Sequence, residues 1–333
     1  MKSTFKALRI EESSEGTFER KIVTRSIDDL PPGELVVKVQ YSSLNYKDAL
    51  SATGNKGITR KYPHTPGIDA AGIVVQSLAP DFTNGDEVVI TGYDLGMNTD
   101  GGFGQYIRIP ATWALHKPEG FTLFECMAIG TAGITAGLAL YKMECLGMSP
   151  SRGYIIVTGA TGGVGSLAVA ILSKAGYAVL AISGKEDAWD YLRSLGAQCM
   201  EQRTWVDDPS GKALLKPQWA GAIDTVGGNI LSTLLKGCKP EGVVACTGLV
   251  ASAQLSTTVY PFILNGVSLV GVGSAETPLS LKKKIWERLG TSWDIRDKLQ
   301  IISRETTLEE LNDHYIPAIL QGGIKGRVVV SLL

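Results

Sequence analysis

Paired cysteines are missing from this 333-residue chain: its five, Cys126, Cys145, Cys199, Cys238 and Cys246, are odd in number, widely spaced and contain no C-x-x-C pair. That spacing argues against a disulfide framework and a structural zinc lobe, and a reducing cytoplasm fits it best. An excess of charge is missing too, since 32 lysines and arginines face 33 aspartates and glutamates. With no net field to gather a polyanion, nucleic acid is excluded as a general partner, and any phosphate recognition has to be local. Long apolar runs are also scarce. No stretch reads as the roughly 18 apolar residues of a membrane span, and Met1-Lys2-Ser3-Thr4-Phe5-Lys6 leads into charged residues without the apolar heart of a signal peptide. The expectation is a cytoplasmic protein with no membrane partner, no internal repeat and no low-complexity segment.

What is present is ordinary globular composition, 44% hydrophobic and 20% charged, in a chain whose length suits two domains. From Leu35 to Val39 the residues alternate toward a β run ending in Tyr41, and β-rich stretches recur at Ile73-Val75, Val88-Ile90 and Tyr106-Ile109. Turns such as Asn84-Gly85-Asp86 separate them, the pattern of a small, mainly antiparallel β domain. After about residue 130 the texture changes. Buried strands at Tyr154-Thr158 and Ala178-Ser183 alternate with amphipathic stretches at 164–175 and 187–195, and further apolar runs follow at Gly221-Asp224, Gly242-Gly248 and Val267-Gly271. That alternation predicts βαβ units on a parallel sheet, so the fold class is α/β. Thr306-Thr307-Leu308-Glu309 has capping-box spacing and opens a helix that Gly322-Gly323 stops, with Pro317 inside it predicting a kink. Arg327 to Leu332 reads as a strand returning to the first domain. The expected domains are 1–131 with 276–333, and 132–275.

After the strand Ile155-Ile156-Val157 comes Thr158-Gly159-Ala160-Thr161-Gly162-Gly163-Val164-Gly165, then a helix. Glycines here let the backbone approach a pyrophosphate resting on free N–H groups at the helix start, and Ala160 stands where the fingerprint usually has its first glycine. Ala160, Thr161, Gly162, Gly163 and Val164 are therefore candidate cofactor contacts. The following strand should end beside the adenosine ribose. An NAD enzyme places Asp or Glu there, whereas this chain has Ser183-Gly184-Lys185, eighteen residues after Gly165. A hydroxyl, a bare backbone and an ammonium welcome a 2′-phosphate that a carboxylate would repel, which favours NADPH, with Asp187 as the opposing sign.

Further short motifs are Pro66-Gly67-Ile68-Asp69-Ala70-Ala71-Gly72, Gly85-Asp86-Glu87-Val88, Gly102-Phe103-Gly104-Gln105-Tyr106, Leu195-Gly196-Ala197 and Asp224-Thr225-Val226-Gly227-Gly228. Together they make nearly the whole chain resemble the medium-chain dehydrogenase/reductase family. The resemblance implies a GroES-like, mainly antiparallel β catalytic domain and a Rossmann-type dinucleotide domain. Alcohol dehydrogenases of the family hold catalytic zinc with Cys, His and Cys; the aligned positions here are Asn45, Ile68 and Thr131. An alkyl group cannot ligate zinc, and neutral amide and hydroxyl groups replace thiolates poorly, so no metal is expected.

Among zinc-free members, the segments Ser43-Leu44-Asn45-Tyr46-Lys47-Asp48-Ala49-Leu50, Gly130-Thr131-Ala132-Gly133, Ser183-Gly184-Lys185, Pro261-Phe262-Ile263-Leu264 and Gly326-Arg327 are similar to the acrylyl-CoA reductase and quinone oxidoreductase branch. The similarity implies reduction of a conjugated carbon–carbon double bond by hydride transfer. It places Tyr46, Ser183, Lys185, Arg203, Leu249, Ile263 and Ser274 at the cofactor. Tyr46 and Asn45 are the expected donors to an enolate-like oxygen, Asp48 orients their loop or meets Lys47, and Thr131 packs against the nicotinamide. Lys56, Arg60 and Lys61 could meet a CoA tail. Quinone reduction and a non-catalytic, NADPH-binding redox sensor remain as rivals. The family also implies a homodimer joined through the edge strand near Val267-Gly271.

Overall fold

Apolar residues at alternate positions, bounded by glycine turns, form strands wherever one face can be buried. In the computed structural model, which describes residues 4–333, such strands build a seven-stranded sheet in one unit and a six-stranded sheet in another, together with a two-stranded hairpin.

The first unit contains the residues up to Thr131 together with Ala275–Trp286 and Ile302–Leu333. Its seven-stranded sheet runs in the order Ser303–Thr306, Arg327–Ser331, Leu35–Ser43, Asp69–Ser77, Glu87–Thr91, Ala114–His116, and Tyr106–Ile109 also pairs with Leu35–Ser43. Only Ser303–Thr306 and Arg327–Ser331 are parallel; the other pairs are antiparallel. Val37, Val39, Ile90, Phe103, Ile107, Val328 and Val330 are buried in its core. The hairpin Thr4–Glu12 and Phe18–Ser26, absent from the sequence reading, is tied down by Arg9 and Arg25, each 2.7 Å from the Asp100 carboxylate.

The second unit, Ala132–Ser274 with Glu287–Ile301, carries six parallel strands in the order Cys199–Glu201, Val179–Ile182, Ile155–Val157, Trp219–Asp224, Cys238–Cys246, Ser268–Gly271. Residues 287–301 group here, although the sequence boundary left them with the first unit. Arg288 accounts for this, pairing with Glu144 and lying over the rings of Tyr141 and Trp293 at 5.4 and 4.6 Å.

Two local readings need correction. A helix long and apolar enough to cross a membrane does exist, Leu123–Cys145, but 83% of its apolar window is buried, as in the core helix of a globular protein. Its many alanines, glycines and threonines disguise it as an unremarkable stretch, and Gly130 breaks it with φ 49° and ψ −159°. The capping pair near the end is shifted by one residue: Thr307 accepts from the Glu310 N–H at 3.2 Å, while Thr306 ends a strand. The helical stretch that follows widens into a π turn at Leu311–Tyr315 ahead of Pro317, which has no N–H to donate.

Candidate active site

In the second unit the strand Ile155–Val157 lies beside Trp219–Asp224, the point at which the order of the sheet reverses. Ligands of such sheets bind beyond the carboxyl ends of the strands at that point. The glycine turn is there. Gly162 N–H donates to Gly159 O at 2.9 Å, and Ala160 N–H to Ile182 O at 3.1 Å. Ala160 and Thr161 are buried, whereas Gly162, Gly163 and Val164 are half-exposed. No side chain caps the helix Gly163–Lys174, so N–H groups of its first turn remain for an anion. A Cβ on Gly165 would lie 2.2 Å from Gly159 O, so only glycine lets this helix pack so close to the turn. Asp224, fully buried, accepts from Thr158 Oγ1 at 2.7 Å and Gly227 N–H at 2.8 Å, locking the two strand ends together. Burial pushes its carboxyl upward.

Ser183 Oγ accepts the Lys185 N–H at 3.0 Å. A Cβ on Gly184 would come 2.5 Å from Arg203 Nε, which places the guanidinium directly over this bare backbone. Glu186 is engaged by Gln202, while Asp187 is exposed. An uncapped helix start, a glycine cradle and a hydroxyl beside two cationic residues fit a dinucleotide with a 2′-phosphate. Leu249 borders Gly227, whose Cβ would sit 3.3 Å from Leu249 Cα; Ile263 is exposed, and Ser274 Oγ accepts from Thr135 Oγ1 at 2.7 Å.

The first unit assembles a second polar cluster around Asp69, a residue to which the sequence motif gave no role. Its fully buried carboxylate accepts from Ser43 Oγ at 2.6 Å, Asn45 Nδ2 at 2.8 Å, Thr131 Oγ1 at 2.5 Å and Thr131 N–H at 3.0 Å. Arg327, 2% exposed, completes the set: Nη2 lies 3.5 Å from Asp69 and donates to Ser43 Oγ at 2.7 Å, while Nη1 donates to Asn45 Oδ1 at 3.0 Å. The break at Gly130 makes this possible. A Cβ there would fall 2.6 Å from Asp69 Oδ2 and 2.7 Å from Arg327 Nη2, so the helix must carry glycine where it turns the Thr131 N–H toward the carboxylate.

Asn45, Asp48 and Thr131 are thus brought together, but Asn45 is not free to bind a ligand. Its amide hydrogens go to Asp69 and to Ser43 O at 3.2 Å. Tyr46 opens the helix Tyr46–Ala52, is 39% exposed, and its hydroxyl makes no hydrogen bond among the described residues. Asp48 bonds to the main chain, not to Lys47: it accepts from the N–H groups of Asn45 at 2.7 Å and Ile68 at 2.9 Å. Lys56 is paired with Glu12 at 2.5 Å and faces the Phe18 and Tyr62 rings, whereas Arg60 and Lys61 are exposed. Among the described residues no group of three His, Cys, Asp or Glu side chains could hold a metal ion.

Burial, reinforced by Asp69, pushes the Asp48 carboxyl up to about 7, against the opposing pull of its two N–H partners. A carboxyl raised on folding contributes stability that is complete below its unfolded value near 4 and lost as pH rises through about 7. Urea midpoints at pH 5 and pH 8 for the wild type and Asp48→Asn should therefore show the wild type losing ground relative to the variant at the higher pH. A constant difference would place the proton elsewhere.

Residues 31–119 match the alcohol dehydrogenase GroES-like domain, and residues 163–288 match the zinc-binding dehydrogenase domain. The Bacillus subtilis (strain 168) protein named "Putative quinone oxidoreductase YhfP" is 44% identical over the full length of both chains. Acrylyl-CoA reductase AcuI of Ruegeria pomeroyi is 41% identical over 98% of this chain and 99% of its own. The crystal structure of Escherichia coli K-12 YhdH with bound NADPH superposes with a TM-score of 0.94 at 41% identity, covering 98% of this chain and all of the other. That of B. subtilis yhfP, with NAD bound, gives 0.95 at 44% identity over 99% of both. The chain belongs to the medium-chain dehydrogenase/reductase family.

Proposed function

We propose that this chain is an NADPH-dependent oxidoreductase that reduces the conjugated carbon–carbon double bond of acrylyl-CoA or a similar enoyl thioester or ketone without a metal. The observation that carries this reading is the uncapped, glycine-lined helix start at Gly163 in the same unit as the Ser183-Gly184-Lys185 segment with Arg203 over it. The unit with the antiparallel sheet acts as the catalytic domain, and the unit with the parallel sheet holds NADPH through the turn at Ala160–Val164, through Ser183, Lys185 and Arg203, and through Leu249, Ile263 and Ser274. When bound, NADPH supplies a hydride.

The chain's own residues have three tasks. Tyr46, with an uncommitted hydroxyl, donates a hydrogen bond to the carbonyl oxygen on which negative charge develops. Asp69 and Arg327 hold Asn45 and Thr131 so that the 43–48 loop keeps one shape, which makes Asn45 a positioning residue. Asp48 fixes the start of the Tyr46 helix. The amide, alkyl and hydroxyl side chains of Asn45, Ile68 and Thr131 supply no thiolate or imidazole for zinc. The free cysteines support residence in the cytoplasm, and the edge strand Ser268–Gly271, with Ile263, Leu264 and Leu269 exposed, supports a homodimer.

Following the absorbance of reduced nicotinamide with acrylyl-CoA, a benzoquinone and an aldehyde, with chelator present and NADH as the comparison, tests the reading. Turnover that prefers acrylyl-CoA and NADPH is expected. Activity confined to quinones would replace the enoyl substrate, chelator-sensitive aldehyde reduction would overturn the metal-free chemistry, and NADPH binding without turnover would mark a redox sensor.

A further inference from the structure

One buried charge takes no part in the chemistry above. Lys282, on the helix Leu279–Leu289, is 1% exposed. A lysine enters a core only where its charge is met. Its Nζ donates to the carbonyls of Thr91 at 2.5 Å and Ala275 at 3.2 Å, and stands 3.5 Å from the centroid of the Tyr93 ring, an ammonium held over an aromatic face. Burial pulls this ammonium down to about 8 against the pull of Asp69 and Glu276.

What Lys282 grips is unusual backbone. Tyr93 has φ 55°, a left-handed conformation that residues other than glycine rarely hold, and one that persists only where its surroundings over-determine it. Its N–H donates to Ala275 O at 3.1 Å and its hydroxyl to Thr277 O at 3.1 Å. Gly92, just before it, packs so tightly that a Cβ would lie 2.9 Å from Ala275 Cα. Two donors, one from Lys282 and one from Tyr93, thus converge on the carbonyl of a single residue, Ala275. Ala275 directly follows Ser274, and between these two residues the chain leaves the second unit for the first.

We propose that Lys282 is a positioning residue for dinucleotide binding: by clamping Ala275 it fixes the backbone of Ser274, and with it the contact of Ser274 with NADPH. The inference rests on the reading of Ser274 as a cofactor contact. Lys282→Met keeps the apolar stem and removes the donors. Titration of the purified full-length protein with NADPH, followed by nicotinamide fluorescence, should show Kd raised on the order of tenfold in the variant. In the wild type, hydrogen exchange at the Tyr93 amide, which is bonded to Ala275 O, should slow by about fivefold or more when NADPH saturates the protein. The second measurement needs no variant and decides the matter if Lys282→Met fails to fold. A folded variant that binds within about twofold of wild type, or a Tyr93 amide indifferent to NADPH, overturns the role of Lys282 and leaves the cofactor reading standing. A wild type that does not bind NADPH removes both.

Discussion

Replacing Asp69 by alanine is expected to cost about 3–5 kcal/mol of stability and to abolish turnover, because it leaves a buried guanidinium without its counter-charge. Arg327 is 2% exposed and cannot recover water by moving, and Asn45, Ser43 and Thr131 lose their common acceptor in the same step. The sign of the second substitution is the sharper test. Adding Arg327→Met to Asp69→Ala removes the orphaned charge, so the double variant should regain a substantial part of the lost stability while remaining inactive, since the loop that carries Tyr46 is still unheld. Urea unfolding of the wild type, Asp69→Ala, Arg327→Met and the double variant gives the coupling directly. Additive losses would show that the two side chains stabilise the fold independently.

The second large effect concerns cofactor choice. Lys185→Glu should raise Kd for NADPH by roughly 100-fold, since one charge-assisted contact is lost and a repulsion introduced, and should change Kd for NADH by less than about threefold. The comparison is internal to one variant, so damage to the turn at Ala160–Val164 would weaken both cofactors alike. Equal effects would place the 2′-phosphate away from Lys185 and leave Ser183 and Arg203 to account for it.

Features that depend on local pattern were legible in the sequence. The parallel strands are short, apolar and flanked by helices, and the glycine turn announces itself because few other structures need that spacing of glycines between a strand and a helix. The Phe18–Ser26 strand was not legible, because Phe-Glu-Arg-Lys-Ile-Val-Thr-Arg-Ser mixes charged and apolar residues without strict alternation, and none of its side chains is fully buried. Asp69 and Arg327 both lie in motifs that mark the family, yet nothing in either segment says that they meet. Their pairing is made by tertiary folding, which brings Arg327–Ser331 alongside Leu35–Ser43. Asn45 shows the converse: its type suggested a donor to a ligand, and the fold had already committed its hydrogens. Residue type indicates what a group can do, and the neighbours determine whether it is available.

The carboxylate at Asp69 also bears on how such proteins can diverge. Asn45 and Thr131, which the family resemblance sets against zinc-ligating positions of the alcohol dehydrogenases, both donate to Asp69 here. A change toward cysteine at either one would exchange a strong donor for a weak one and unsettle Arg327 before any ligand set existed to profit from it. Any change toward a metal site at these two positions would therefore begin by loosening the bonds that hold Asp69, Asn45 and Arg327 together, so a new ligand would be gained at the expense of an existing charge network.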